Sequence, residues 1–173
     1  DRRRHRHRQI RGLIMEQIYP RAPLLVFLAA VAVLGGAFAF QYLGGLAPCE
    51  LCLLQRWPWG AVIVFSAVAI FVPAARKPHL YLCALALTIG TGIAREHVCF
   101  EQKGSAGPEA CTGGPSSITS IDELRRKLLA TQVVRCDEPA WALFGVSMAG
   151  YNALASVVLA AFAFAAARRR TAP

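Results

Sequence analysis

Charge is scarce in this chain. Of its 173 residues, 17% are Asp, Glu, Lys or Arg and 55% are hydrophobic, whereas a soluble domain carries about 25% charged residues. No charged residue occurs between Ala22 and Leu43, and Leu53 to Val72 holds only Arg56. That pattern excludes an ordinary soluble globular domain. Other absences narrow the chemistry. There is no second Cys-x-x-Cys and no Cys/His pair at ligand spacing, so a zinc knuckle lacks half its ligands. Leu53, not histidine, follows Cys52, which removes a covalent haem site. No second histidine sits inside an apolar segment, which disfavours a haem held by two histidines. His5 and His7 form only a weak metal pair in a polar tail, and no metal site is expected. No internal repeat is visible.

What is present is apolar sequence in membrane lengths. Ala22–Leu43, Leu53–Val72 and Ala140–Ala167 each meet the roughly 20 residues that a helix needs to cross a hydrocarbon core. Leu80–Ile93 reaches that length with Ala94 and Arg95 included, the arginine extending toward the interface. The first segment exceeds the apolar region of a signal peptide, about 7–15 residues, and Gln41-Tyr42-Leu43-Gly44 is a poor cleavage site. The expected fold is an all-α membrane protein, a bundle of four transmembrane helices.

The formal net charge of +9 raises the question of nucleic acid. Its distribution answers it. Seven arginines between Arg2 and Arg21, Arg76 with Lys77, and Arg168 to Arg170 all fall on one side of a four-pass topology. By the positive-inside rule that side is cytoplasmic, so both termini are cytoplasmic and no nucleic-acid partner is expected. The domain plan is a basic tail over 1–21, a four-helix domain over 22–167 with outward loops at about 44–56 and 98–139, and a second tail over 168–173. The N-terminal tail is a topology signal with some attraction for anionic lipid headgroups. Arg125, Arg126 and Lys127 lie on the outward side, within a local amphipathic segment.

That segment belongs to the longer loop. Gly104–Pro108 and Thr112–Pro115 form turn-rich stretches around Cys111. Ser120-Ile121-Asp122-Glu123 matches a capping box, and Ile121, Leu124 and Leu128 follow at helical spacing. A short helix there lies on the membrane surface or covers the bundle end. Pro139 is expected to open the fourth helix.

Six cysteines permit 15 complete pairings. Cys83 lies within the third apolar segment and reads as a small buried hydrophobe. Cys49, Cys52, Cys99, Cys111 and Cys136 all map to the outward face, where an oxidising compartment lets disulfides persist. Cys49 and Cys52 stand at the mouth of the second helix. An inert bridge between them would close too short a loop to stabilise much. If the helix begins near Cys52, its N-terminus favours a thiolate there. Arg56, one turn further along the same face, is placed to stabilise that thiolate and a reduced, anionic acceptor; as a plain interfacial residue it would pair with headgroups. Glu50 opposes the effect modestly. Cys111 and Cys136 flank the amphipathic segment, either as a loop brace or as an exchangeable pair, and Cys99 competes with Cys111 for that role. His97, beside Arg95 and Glu96, closes the third helix, as an interfacial residue or as a hydrogen-bond donor to an acceptor near Arg56.

The ensemble resembles the DsbB family of bacterial inner-membrane proteins. The resemblance rests on Cys49-x-x-Cys52 with Arg56 four residues on, on Glu96-His97, on Cys111 and Cys136, and on the run Cys136 to Gly145. It covers all but residues 1–20 and the last few. The family pattern does not require Cys99. The resemblance implies a protein-disulfide:quinone oxidoreductase in the inner membrane. A periplasmic DsbA-like thiol oxidase would attack a Cys111–Cys136 disulfide through Cys111, and Cys136 would then exchange with Cys49. Cys52 would donate electrons to ubiquinone or menaquinone held near Arg56, with His97 as a second contact. Two rivals differ in class. One is a vitamin-K-epoxide-reductase-like enzyme, whose quinone-proximal Cys-x-x-Cys typically lies late in the chain. The other is a structural membrane protein whose disulfides only brace loops.

Overall fold

In the computed structural model, the structure describes residues 19–103, 120 and 121, and 136–168. Four helices dominate it: α1 (Ala22–Tyr42), α2 (Glu50–Phe71), α3 (Arg76–Glu101) and α4 (Met148–Ala167). Each is long and apolar enough to cross a membrane. The chain is an all-α, multi-pass membrane protein. Single 3₁₀ turns precede α1 at Tyr19–Arg21 and join α2 to α3 at Pro73–Ala75.

The helices alternate in direction. α3 packs most extensively, against α4 and α2, while α1 leans mainly on α2. Buried positions recur at helical spacing. On α1 they include Ala22, Val26 and Ala30; on α3 they run Leu80, Cys83, Ala84, Leu87, Gly90, Ala94, His97 and Phe100. Burial on this 3–4 period means that the stripe packing the bundle also delivers His97 to its end. α2 does the same with Gln55, which continues the stripe of Trp59, Val62, Ser66 and Ala69. The outer faces carry exposed Leu28, Val64, Leu85 and Val158, as lipid contact requires. Small residues set the closest approach. A Cβ built on Gly90 would stand 3.1 Å from Pro58 Cβ and 3.8 Å from Ser156 Oγ, so α2, α3 and α4 meet there.

Three helices have boundaries that differ from the sequence expectations. α2 begins at Glu50, because Cys49 rather than a later residue caps it. α3 already begins at Arg76, so Arg76 and Lys77 belong to its first turn, and it continues to Glu101, leaving His97 inside the helix rather than closing it. α4 begins at Met148, not after Pro139. Between them, Ala142–Leu143 (β1) and Val146–Ser147 (β2) pair as a tight antiparallel hairpin. Its two-residue turn has positive φ at both Phe144 (50°) and Gly145 (77°), the backbone twist that two-residue hairpins favour. Ser147 then caps α4 by accepting the Gly150 N–H at 3.2 Å. The hydroxyl cap outcompeted the proline as a start signal. The amphipathic helix expected from Ser120 lies outside the described residues except at Ser120 and the exposed, helical Ile121. The 1–18 tail also lies outside them.

Candidate functional site

The site forms where the end of α1, the start of α2, the end of α3 and the start of α4 converge. Pro48 leads Cys49 into an extended conformation (φ −78°, ψ 171°), and the Cys49 sulfur accepts the Cys52 N–H at 3.4 Å. A cysteine thus does the capping work of a serine or aspartate. The cap fixes the second sulfur: the two Sγ atoms lie 2.9 Å apart, Cys49 donating to Cys52. Both are free thiols, Cys49 buried and Cys52 half-buried. The Cys49 thiol is pushed up to about 12, first by donating its hydrogen to Cys52 and then by burial, with His97 pulling weakly the other way. The pair is therefore asymmetric: Cys49 keeps its proton, and negative charge is left to its neighbour. In exchange chemistry the sulfur of higher pKa is the poorer leaving group. A thiolate opening a Cys49–Cys52 bond would be steered to Cys49 and would expel Cys52.

A buried polar chain runs from this pair into the bundle. His97 Nε2 lies 3.7 Å from Cys49 Sγ and 3.7 Å from a Glu101 carboxylate oxygen. Its Nδ1 is 2.7 Å from Gln55 Nε2. The Gln55 carbonyl accepts from Asn152 Nδ2, and the Asn152 carbonyl accepts the Trp59 indole N–H at 2.7 Å. Buried polar groups of this kind are costly unless paired, and here α2, α3 and α4 are joined by the pairing itself.

Arg56 points inward. Its guanidinium donates to Gln41 Oε1 at 2.7 Å and lies 4.7 Å above the Phe38 ring, both on α1. A headgroup-paired interfacial arginine would not be held this way. Beside it opens a cavity of about 410 Å³, lined by apolar α1 residues such as Val33 and Phe40, by Cys52 and Arg56 of α2, and by Tyr151 of α4. Trp141, just before the hairpin, packs on two of the lining residues, Phe40 and Tyr151.

Cys136 is buried against Cys49, Leu51 and Phe100, with Cys52 packed on the same cluster. The structure thus gathers Cys49, Cys52, Cys136, Arg56 and His97 at one end of the bundle. Cys99 is half-buried and outside that cluster, Cys83 is buried among core residues as expected, and Cys111 lies outside the described residues. Gln41, Gln55, Trp59, Glu101 and Asn152 were not singled out from sequence. A usable signal existed for Gln41, Gln55 and Asn152, uncharged polar residues within otherwise apolar spans. The sulfurs of Cys49 and Cys52 and a ring nitrogen of His97 also fall within 4.8 Å of one another, a trio of potential donor atoms that sequence spacing does not reveal.

The comparisons with known proteins agree with this geometry. The family described as disulfide bond formation protein DsbB matches residues 20–166. Disulfide bond formation protein B of Xanthomonas axonopodis pv. citri is 34% identical, covering 81% of this chain and 85% of the relative. Disulfide bond formation protein B of Xanthomonas oryzae pv. oryzae is 33% identical, covering 83% and 87%. Disulfide bond formation protein B 1 of Pseudomonas aeruginosa is 28% identical, covering 85% and 93%. No solved structure matches. With four membrane-length helices, a capped dithiol at their shared end and a family match across almost the whole bundle, the chain belongs to the DsbB family of disulfide bond formation proteins.

Proposed function

We propose that the chain is a thiol:quinone oxidoreductase of the bacterial inner membrane that reoxidises a periplasmic DsbA-like disulfide donor. The observation that carries the proposal is the position of Cys52: its sulfur touches Cys49 at 2.9 Å and lines the same apolar cavity as Arg56. A dithiol facing an oily cavity suits an acceptor that resides in lipid.

In the proposed sequence, a reduced DsbA-like protein attacks Cys111 of a Cys111–Cys136 disulfide. Its second thiol resolves the mixed disulfide, leaving as the oxidised donor, while Cys111 and Cys136 become thiols. Cys136, packed beside Cys49, attacks the Cys49–Cys52 bond at Cys49 and releases Cys52. Closure of the Cys111–Cys136 bond then leaves Cys49 and Cys52 reduced. Re-forming the Cys49–Cys52 bond gives up two electrons and two protons.

The lining residues fit a quinone. Apolar α1 side chains suit its ring and tail, and the Arg56 guanidinium, already fixed by Gln41 and Phe38, is placed to hold an oxygen-bearing edge. Bound ubiquinone or menaquinone would supply the acceptor for those electrons and protons. His97, which also lines the cavity, would present a ring N–H close to the reacting sulfurs. Arg21, Arg76 and Arg168 stand at helix ends away from the dithiol, which supports cytoplasmic termini and a periplasmic site.

The test is turnover by the purified protein with a reduced DsbA-like protein and a short-chain ubiquinone. Oxidised partner and quinol should appear in equal amounts. Oxidised partner without quinol, or neither product, rejects the proposal.

A further inference from the structure

The polar chain behind the dithiol has a direction, and one residue sets it. An indole N–H donates and cannot accept. Asn152 must therefore turn its carbonyl to Trp59, at 2.7 Å. Its amide nitrogen is then left for the Gln55 carbonyl, on which it donates. Gln55 in turn has only its amide nitrogen to offer His97 Nδ1, at 2.7 Å. A neutral imidazole nitrogen that accepts a hydrogen bond carries no proton, so the ring proton lies on Nε2. That nitrogen faces Cys49 Sγ and Glu101 at 3.7 Å each. Trp59, Gln55 and His97 are all buried, so water does not readily substitute for any link.

We infer that Trp59, Asn152 and Gln55 are positioning residues that lock His97 in its Nε2–H tautomer, presenting a proton to the Cys49 sulfur and withholding a lone pair from metal ions. The second consequence matters because Cys49, Cys52 and His97 would otherwise make a Cys₂His set within 4.8 Å, a donor set used by zinc enzymes. A dithiol reduced in every cycle would be exposed to capture by thiophilic cations. Ligation through Nε2 requires that nitrogen to be bare and Nδ1–H to be donated to an acceptor. Reversing the Gln55 and Asn152 amides to provide that acceptor would turn the Asn152 NH₂ onto the Trp59 N–H, two donors facing each other. The lock is thus paid for at the far end of the chain, about two helical turns from the sulfurs.

The use of the lock rests on the redox function proposed above, but its reading does not. In the reduced, ¹⁵N-histidine-labelled protein, nitrogen chemical shifts report the tautomer directly, with His97→Asn giving the assignment. Native His97 should be protonated at Nε2. Gln55→Glu places an acceptor-only carboxylate against Nδ1 and should move the proton there; Trp59→Phe removes the fixed donor and should populate the same tautomer. In both variants the affinity of the reduced protein for Cd²⁺, read from cysteine–cadmium charge-transfer absorption, should rise about tenfold or more, the scale on which outer hydrogen-bond partners act on metal sites. Native His97 protonated at Nδ1, or either folded variant keeping the native tautomer and Cd²⁺ affinity, overturns the inference. Neither readout needs turnover. A protein that reduces no quinone still decides the tautomer, and a protein that turns over with Nδ1–H refutes the lock alone.

Discussion

Cys49 Sγ donates its hydrogen to Cys52 Sγ across 2.9 Å, while the same Cys49 sulfur accepts the backbone N–H of Cys52 at 3.4 Å. The helix cap and the reactive pair are one structure. Exchange chemistry and the start of α2 cannot be altered separately.

This coupling has a consequence for reactivity. With the Cys49 thiol pushed up to about 12, only about a thousandth of it is thiolate at pH 9, where an ordinary thiol is mostly ionised. Alkylation of the reduced protein should therefore mark Cys49 slowly, its rate still rising with pH above 10. Cys52→Ala removes the largest cause of the shift and should speed Cys49 alkylation at pH 9, although burial is little changed. Site-resolved mass spectrometry checks both. A Cys49 rate that is unchanged by Cys52→Ala would mean that burial alone protects it.

The cluster of Cys49, Cys52 and Cys136 predicts which bridge forms when one partner is missing. In Cys52→Ala under mild oxidation, Cys49 should be found joined to Cys136. Cys83, in the core, should remain a thiol, and Cys99 should not replace Cys136. Peptide mapping without reduction gives the answer. For the thiol that the partner attacks, trapping should survive Cys99→Ala and be lost in Cys111→Ala.

Packing predicts a contrast on α3. Gly90 faces Pro58 at 3.1 Å from a built Cβ, whereas nothing lies within 4 Å of one built on Gly92. Gly90→Val should destabilise the bundle by about 1–3 kcal/mol through overpacking, and Gly92→Ala should be near neutral. Unfolding in mixed micelles, followed by helical circular dichroism, separates the two.

Much of this was legible in the sequence where the signal was periodic or topological. Membrane-length apolar runs marked four helices, and the ordering of cysteines around them placed the dithiol beside Arg56 and Cys136 on the same outward face; Cys136 as the exchange partner of Cys49 came only from the family resemblance. Boundaries were less legible because short-range signals compete. Pro139 reads as a helix start, yet Phe144-Gly145 bends the chain into a hairpin and Ser147 supplies the cap. His97 reads as a helix end because the apolar run stops before it, while the backbone continues to Glu101. The chain from Trp59 through Asn152 and Gln55 to His97 was invisible, since it joins three helices over sequence separations of 93, 97 and 42. No local pattern carries such information. Arg56 shows the middle case: sequence placed it near Cys52, but only the fold shows Gln41 and Phe38 aiming it.

Arg56 also yields a prediction about binding. Gln41→Ala leaves the charge and removes the contact that fixes it. The KM for quinone should rise by roughly three- to tenfold, about 0.7–1.4 kcal/mol, with little change in kcat. Arg56→Ala should raise KM further. Steady-state kinetics over a quinone series separates the two parameters. A Gln41→Ala enzyme with native KM would show that the guanidinium needs no such support.

The most direct measurement isolates the electron step from the partner. Protein reduced in advance and freed of reductant is mixed once with ubiquinone, and quinol is followed by absorbance. Quinol should form with the native protein and with Cys83→Ala and Cys99→Ala, and none should form with Cys52→Ala. Quinol formation at the native rate by Cys52→Ala would contradict the account, because the electrons would then reach the lipid-phase acceptor by some other sulfur.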